Sequence, residues 1–374
     1  MHLPTVLSWL VDEAAKAGGA DQFLAALGGK LVADGVPLAG GALTLEAPHP
    51  IIARRVWLWR AETGVVIEAL GFGSLNLTEP AKDQIGRSWL SKLGAEFLQD
   101  HAVGPGMDQR MPNEQASGGP LLSWALSRPL AADESAVLRN VARFAAAPLA
   151  VIAARSTLAA LLEAYLGRRS AGQVLAGRLR RETGETIRAV LLYGDLRGFT
   201  ALSETMSPEA AVAALDSWFD RIAGAVHAFG GEVLKFIGDG VLAIFPIGER
   251  PAPAACDAAL NAVVAARAGM IHLDAMRRQQ GLPSLSFGMA LHLGDMLWGN
   301  IGTADRLDFT AIGPAVNLVS RLEGLCKLLG HSVLISGAVA SETTMPLTPL
   351  GEHLLRGIAM PCPVFTLPDH RSEP

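Results

Sequence analysis

The tightest constraint on this chain is a series of switches in hydrophobic periodicity between residues 189 and 336. Ala189–Tyr193 is a short apolar run of the kind that forms a buried strand. Ser207-Pro208-Glu209 then reads as a helix start: Ser caps, Pro suits the first turn, and Glu complements the dipole. Val212, Leu215, Phe219, Ile222, Val226 and Phe229 follow at alternating three- and four-residue spacing, and Gly230-Gly231 ends the helix. Strands over 232–237 and 241–245 come next, joined by Gly238-Asp239-Gly240. A second helix is predicted over 253–280. Leu285, Phe287, Met289, Leu291 and Leu293 alternate strictly, which predicts a half-buried strand. A third helix over 315–329, a strand over 331–336 and two short strands near Leu354 and Phe365 complete the pattern. The order β-α-β-β-α-β predicts an α+β fold with a ferredoxin-like core and an extension.

The rest of the 374 residues is less regular, and the length predicts about two domains. A helical pattern covers 5–17, and Val56–Trp59 with Val65–Ile67 predicts a hairpin that turns near Gly64. Gly104 to Pro120 reads as a loop. Gly71-Phe72-Gly73 lacks the third glycine of a dinucleotide loop, and Asn76-Leu77-Thr78 is a chance sequon in a cytosolic chain. Ser135 to Gly167 is predicted helical with a kink at Pro148, ending in the basic run Arg168, Arg169, Arg178, Arg180 and Arg181. That segment suits a solvated connector or a helix that carries a signal between domains.

Composition excludes several classes. A net charge of −5 argues against a nucleic-acid binder, which needs a basic face. Three distant cysteines, Cys256, Cys326 and Cys362, support neither a disulfide framework nor a Cys-rich zinc site. Phe144–Ala154, bounded by arginines and interrupted by Pro148, is shorter than the roughly 20 residues of a membrane span. The start of the chain has no signal-peptide pattern. A soluble, cytoplasmic protein is expected.

Two carboxylates are hard to explain structurally. Asp195 follows the first apolar strand, and Asp239 stands at a glycine-flanked hairpin tip. Alone, Asp239 is ordinary turn chemistry. If the two strands are neighbours, both carboxylates project from one end of a sheet, where they repel unless a cation such as Mg²⁺ or Mn²⁺ lies between them. Asn317 and Arg321 are four apart and share a helix face, an amide and a guanidinium that suit a ribose oxygen and a phosphate. Lys235 lies on the strand that leads to Asp239.

These residues fall in three separated motifs: Asp195-Leu196-Arg197-Gly198-Phe199-Thr200, Lys235-Phe236-Ile237-Gly238-Asp239-Gly240, and Thr310-Ala311-Ile312-Gly313-Pro314-Ala315-Val316-Asn317-Leu318-Val319-Ser320-Arg321. In this order they resemble the catalytic domain of class III nucleotidyl cyclases, over about residues 185–368. The resemblance implies that Asp195, Asp239 and the Leu196 carbonyl hold two Mg²⁺ or Mn²⁺ ions per active site. Asn317 would then orient the ribose, Arg321 would stabilise the pentavalent phosphorus, and backbone at Gly198, Phe199 and Thr200 would cradle phosphates. Lys235 and Thr310 match the positions that read the base, a Lys/Thr pair similar to that of a bacterial-type subgroup of adenylate cyclases. Arg356 corresponds to a triphosphate-binding lysine.

The resemblance implies an adenylate cyclase that converts ATP to 3′,5′-cyclic AMP and pyrophosphate in a homodimer. The alternatives are a guanylate or other nucleotide cyclase, or an inactive cyclase-fold regulatory module. A diguanylate cyclase is argued against, because Gly230-Gly231-Glu232 precedes a strand instead of forming that family's hairpin motif. The implied organisation is a regulatory or sensory domain over 1–133, PAS- or GAF-like by its hairpin and helix patterns, a helical linker over 134–184, and a cyclase domain over 185–374. No ligand of the first domain is legible.

Overall fold

A computed structural model describes residues 5–46, 52–72, 84–93, 97–104, 119–178, 184–248, 250–303 and 305–368. The Asn76 sequon, Gly73, most of the Gly104–Pro120 loop, Arg180 and Arg181 lie outside the described residues. The chain divides into two compact units, Met1–Leu161 and Leu162–Pro374. The division falls inside the segment expected to be a linker.

The first unit contains α1 (Thr5–Asp12), α2 (Ala20–Ala33), β1 (Leu38–Glu46), β2 (Ile52–Arg60), β3 (Val66–Phe72), α3 (Gln84–Ser91), β4 (Phe97–Ala102), β5 (Leu121–Leu126) and α4 (Ala132–Phe144). Its strands pair antiparallel in the order β3-β2-β1-β5-β4, and β2 with β3 is the hairpin expected around Gly64. One face buries Phe23, Leu27, Trp59, Trp124, Leu138 and Val141; the other buries Val56, Leu58 and Leu90 under α3. Leu138, Val141, Leu149 and Ile152 belong to this core, so part of the expected connector is packed.

Helix α5 (Ala146–Leu175) follows. The helices break at Ala145 rather than at Pro148, which stands in the first turn of α5 where no intrahelical partner loses its N–H. The non-helical residue inside α5 is Gly167, at φ 77°. The apolar segment is therefore longer than Phe144–Ala154 suggests. By length and composition alone, α5 and the later helix Ala252–Gln279 could each cross a membrane, which is weak evidence for a span; the second buries one face, with Cys256, Leu260, Val263 and Met270, in the core.

The second unit runs β6 (Gly184–Leu196), α6 (Phe199–Ser203), α7 (Pro208–Ala228), β7 (Glu232–Ile237), β8 (Gly240–Pro246), α8 (Ala252–Gln279), β9 (Phe287–Gly302) and β10 (Leu307–Ile312). It ends α9 (Pro314–Gly324), α10 (Cys326–Leu329), β11 (Val333–Ser336), α11 (Gly337–Ala340), β12 (Thr348–His353) and β13 (Cys362–Thr366). The sheet order is β12-β13-β11-β9-β6-β8-β7, with β10 folded back on β9. Within it, β9-β6-β8-β7 is the ferredoxin-like arrangement: the first strand lies between the last and the third, and the second is at the edge. Ser207 caps α7 as expected, its Oγ accepting from the Ala210 N–H at 3.3 Å.

Three expectations change. Strand β9 is covered on both faces: Met289 and Leu291 pack under α7 and α8, while Ala290 and Met296 pack under α9. Its alternation marks two cores, not one core and solvent. The buried face of α7 is Ala214, Trp218, Ile222 and Val226, whereas Val212 is 56% exposed; counting alanine as apolar rotates the stripe. The third helix is interrupted at Leu325, where α9 gives way to α10.

Candidate functional site

Asp195 stands at the C-terminal end of β6, and Asp239 in the turn between β7 and β8. Because β6 and β8 are neighbours, with Gly194 opposite Val241, both carboxylates reach the same sheet end and come within hydrogen-bond reach of each other. Burial holds the Asp195 carboxyl well above the usual carboxylate range, and the Asp239 carboxylate beside it adds to this. Trp218 on α7 fixes the turn from below, its Nε1 donating to the Asp239 carbonyl at 2.9 Å.

A third carboxylate completes this end. Helix α9 crosses β9 so closely that Ala315 lies over Gly294 and the Glu323 carboxylate over Gly288; a side chain at Gly294 would collide with Ala315, and one at Gly288 would displace the Glu323 carboxylate. Gly288 is the cross-strand partner of Asp195, so Glu323 arrives beside the aspartates. Burial raises its pKa, with Asp239 contributing, while Arg197 opposes the shift. Arg197 is anchored by its N–H to the Ser286 carbonyl at 2.7 Å and by Nη2 to the His331 carbonyl at 2.5 Å. Asp195, Leu196, Arg197, Gly198, Glu323 and Lys327 line a cleft of about 480 Å³. Burial pushes the neighbouring Tyr193 phenol up to about 12.

The donor set fits hard divalent cations. Two adjacent carboxylates offer oxygen donors of the kind these ions take, and a carboxyl that resists ionising beside another is relieved by a cation between them.

Gly198 precedes the five-residue α6; the Phe199 side chain is buried in the core, and Thr200 is exposed. Lys235 on β7 forms an ion pair with Asp308 on β10, and Thr310 is two residues further along the same face of that strand. Asn317 and Arg321 are exposed on α9. The Arg321 guanidinium lies against Gly357, which follows the exposed Arg356 in the chain. Among the described residues, no hydrogen bond or ion pair joins Asn317 or Arg321 to Asp195 or Asp239. One chain thus holds separate groups: a carboxylate cleft, a Lys235–Asp308–Thr310 group, and an amide and arginines on and beside α9.

Sequence reasoning missed Glu323, Trp218 and Asp308. Glu323 is two residues past the third motif, and Asp308 is two before it, but nothing local distinguishes them from solvated charges. The β9–β10 hairpin was missed as well, although Asp305 and Arg306 between apolar stretches were a turn signal.

A ferredoxin-like sheet with paired carboxylates at one end can hold divalent cations. The adenylate and guanylate cyclase catalytic domain family matches residues 183–360 of this chain. Similar proteins include an adenylate cyclase of Anabaena cylindrica, 34% identical over 165 residues covering 43% of this chain and 32% of the relative. Adenylate cyclase 1 of Rhizobium meliloti (strain 1021) is 36% identical over 171 residues, 44% of this chain and 25% of the relative. The chain thus spans about a third or less of these relatives' lengths. A solved bacterial light-regulated adenylyl cyclase shares the fold, at TM-score 0.50 and 18% identity over 76% of this chain and 89% of its own.

Proposed function

We propose that this chain is an adenylate cyclase that converts ATP to 3′,5′-cyclic AMP and pyrophosphate at two equivalent sites of a homodimer. The observation that carries the reading is the Asp195–Asp239 pair at the end of a cyclase-family sheet. Asp195, Asp239 and the Leu196 carbonyl would hold two Mg²⁺ or Mn²⁺ ions, which supply Lewis acidity and charge neutralisation at the phosphates. Lys235 donates to an adenine ring nitrogen, and Thr310 accepts from the exocyclic amine. Asn317 orients the ribose. Arg321 neutralises charge developing on the α-phosphorus, and Arg356 with backbone at Gly198, Phe199 and Thr200 holds the triphosphate. The 3′-oxygen bonds to the α-phosphorus, pyrophosphate leaves, and the hydroxyl proton is lost to solvent.

The names of the curated relatives support ATP as the substrate. A threonine hydroxyl can donate as well as accept, so GTP is the second reading. Residues 1–133 act as a regulatory domain for a signal of unassigned chemistry. Assaying the purified chain with each of the four NTPs and Mn²⁺ tests the proposal: cyclic AMP as main product is expected, and no cyclic nucleotide from any NTP overturns it.

A further inference from the structure

Strand β7 carries Lys235 and delivers Asp239, yet it is an edge strand. Its ladder partner is β8, with a bulge between Val233 and Lys235. A strand paired on one side only has no ladder on its free edge, so side chains that reach it from elsewhere weigh more in fixing its position. At the first residue of β7, Glu232 accepts two hydrogen bonds from Arg169, Nε to Oε2 and Nη2 to Oε1, both at 2.9 Å. Arg169 Nη1 also lies 3.8 Å from the Glu185 carboxylate at the start of β6. This fork bridges the two strands that lead to the two aspartates.

Arg169 is delivered to that position by a deliberate break. Gly167 leaves the helical region at φ 77°, a conformation other side chains rarely adopt, and sits against the Val233 carbonyl. Ser170 and Ala171 beyond it are 1% and 0% exposed, so the segment is packed against the unit rather than solvated. An exposed ion pair contributes little to stability, but a bidentate Arg–carboxylate pair with a side chain only 22% exposed restricts geometry as well.

We infer that Arg169 is a positioning residue that, by gripping Glu232, sets β7 so that Lys235 and Asp239 meet the nucleotide together. The inference rests on the adenylate cyclase reading. It is tested in the full chain with Arg169→Gln, Glu232→Gln, the double variant and Arg169→Lys, measuring kcat and KM for ATP, the ATP/GTP preference and the thermal midpoint. Each single Gln variant should raise KM for ATP about five- to tenfold and lower the preference for ATP, and the double should be no worse than either, since both remove one interaction. Arg169→Lys should fall between, because an ammonium cannot form the fork. Additive losses, or a lowered midpoint with KM and preference unchanged, overturn the inference; should Arg169→Gln fail to fold, Glu232→Gln and Arg169→Lys carry the same readouts. If the unaltered chain cyclises no NTP, the underlying reading falls and takes the inference with it. If it cyclises ATP and the variants match it, the clamp alone falls.

Discussion

Lys235 and Asp308, 73 positions apart, form an ion pair between β7 and β10 that turns the lysine towards the strand bearing Thr310. The carboxylate is the ammonium's acidic partner among the described residues, so it holds the side chain that is proposed to read the base.

Asp308→Asn should therefore lower kcat/KM for ATP about fivefold, the effect of about 1 kcal/mol for a half-exposed pair, with little change in thermal midpoint. Steady-state kinetics check it. Unchanged ATP kinetics would mean that Lys235 holds its position without Asp308.

Asp195→Asn should reduce turnover at least about a hundredfold by removing an oxygen ligand. It should also stabilise the metal-free fold by about 1 kcal/mol near neutral pH. The sign follows from the raised folded-state pKa: the ionised form is disfavoured in the fold, so Asp195 costs stability as pH rises, and Asn does not. Steady-state turnover reads the first effect, and thermal melts with and without Mn²⁺ read the second and the metal's contribution. An Mn²⁺-induced rise of equal size in both proteins would remove Asp195 from the ligand set.

Asn317 and Arg321 are exposed, and among the described residues neither hydrogen-bonds to the aspartates nor pairs with them, which is the motive for two shared sites per dimer. Asp239→Ala and Arg321→Ala should each be nearly inactive. After subunit exchange about half the dimers are mixed and each has one intact site, so roughly a quarter of normal activity should return. A mixture that stays dead despite verified exchange places the site within one chain.

His292 on β9 hydrogen-bonds through Nδ1 to the buried Ser336 Oγ at 2.9 Å, and burial pushes its pKa down to about 4. The folded state thus favours the neutral ring. Stability is fully present above the ordinary value of about 6.5 and is lost as pH falls from there towards 4, by about 2 kcal/mol at pH 5. His292→Asn keeps a polar group of similar reach without the titration. Urea midpoints at pH 7 and pH 5 should differ less in the variant, and an equal difference would show that other groups cause the acid lability.

Much of the second unit was legible because its signals are local. A capped start at Ser207, an apolar run before Asp195 and an aspartate in a glycine-flanked turn all depend on neighbours within a few positions. The same spacing rules place Asn317 and Arg321 on one helix face. They could not tell that Val212 is exposed while Ala214 is buried, because small alanines join a stripe only when a partner helix approaches. Nor could they bring Glu323 over Gly288, Lys235 to Asp308 or Arg169 to Glu232. Those meetings depend on strand order and on how closely α9 crosses the sheet, and both are settled by burying two cores at once. Local spacing determined the elements and the two aspartates; the packing of distant elements alone decided which charges stand beside them.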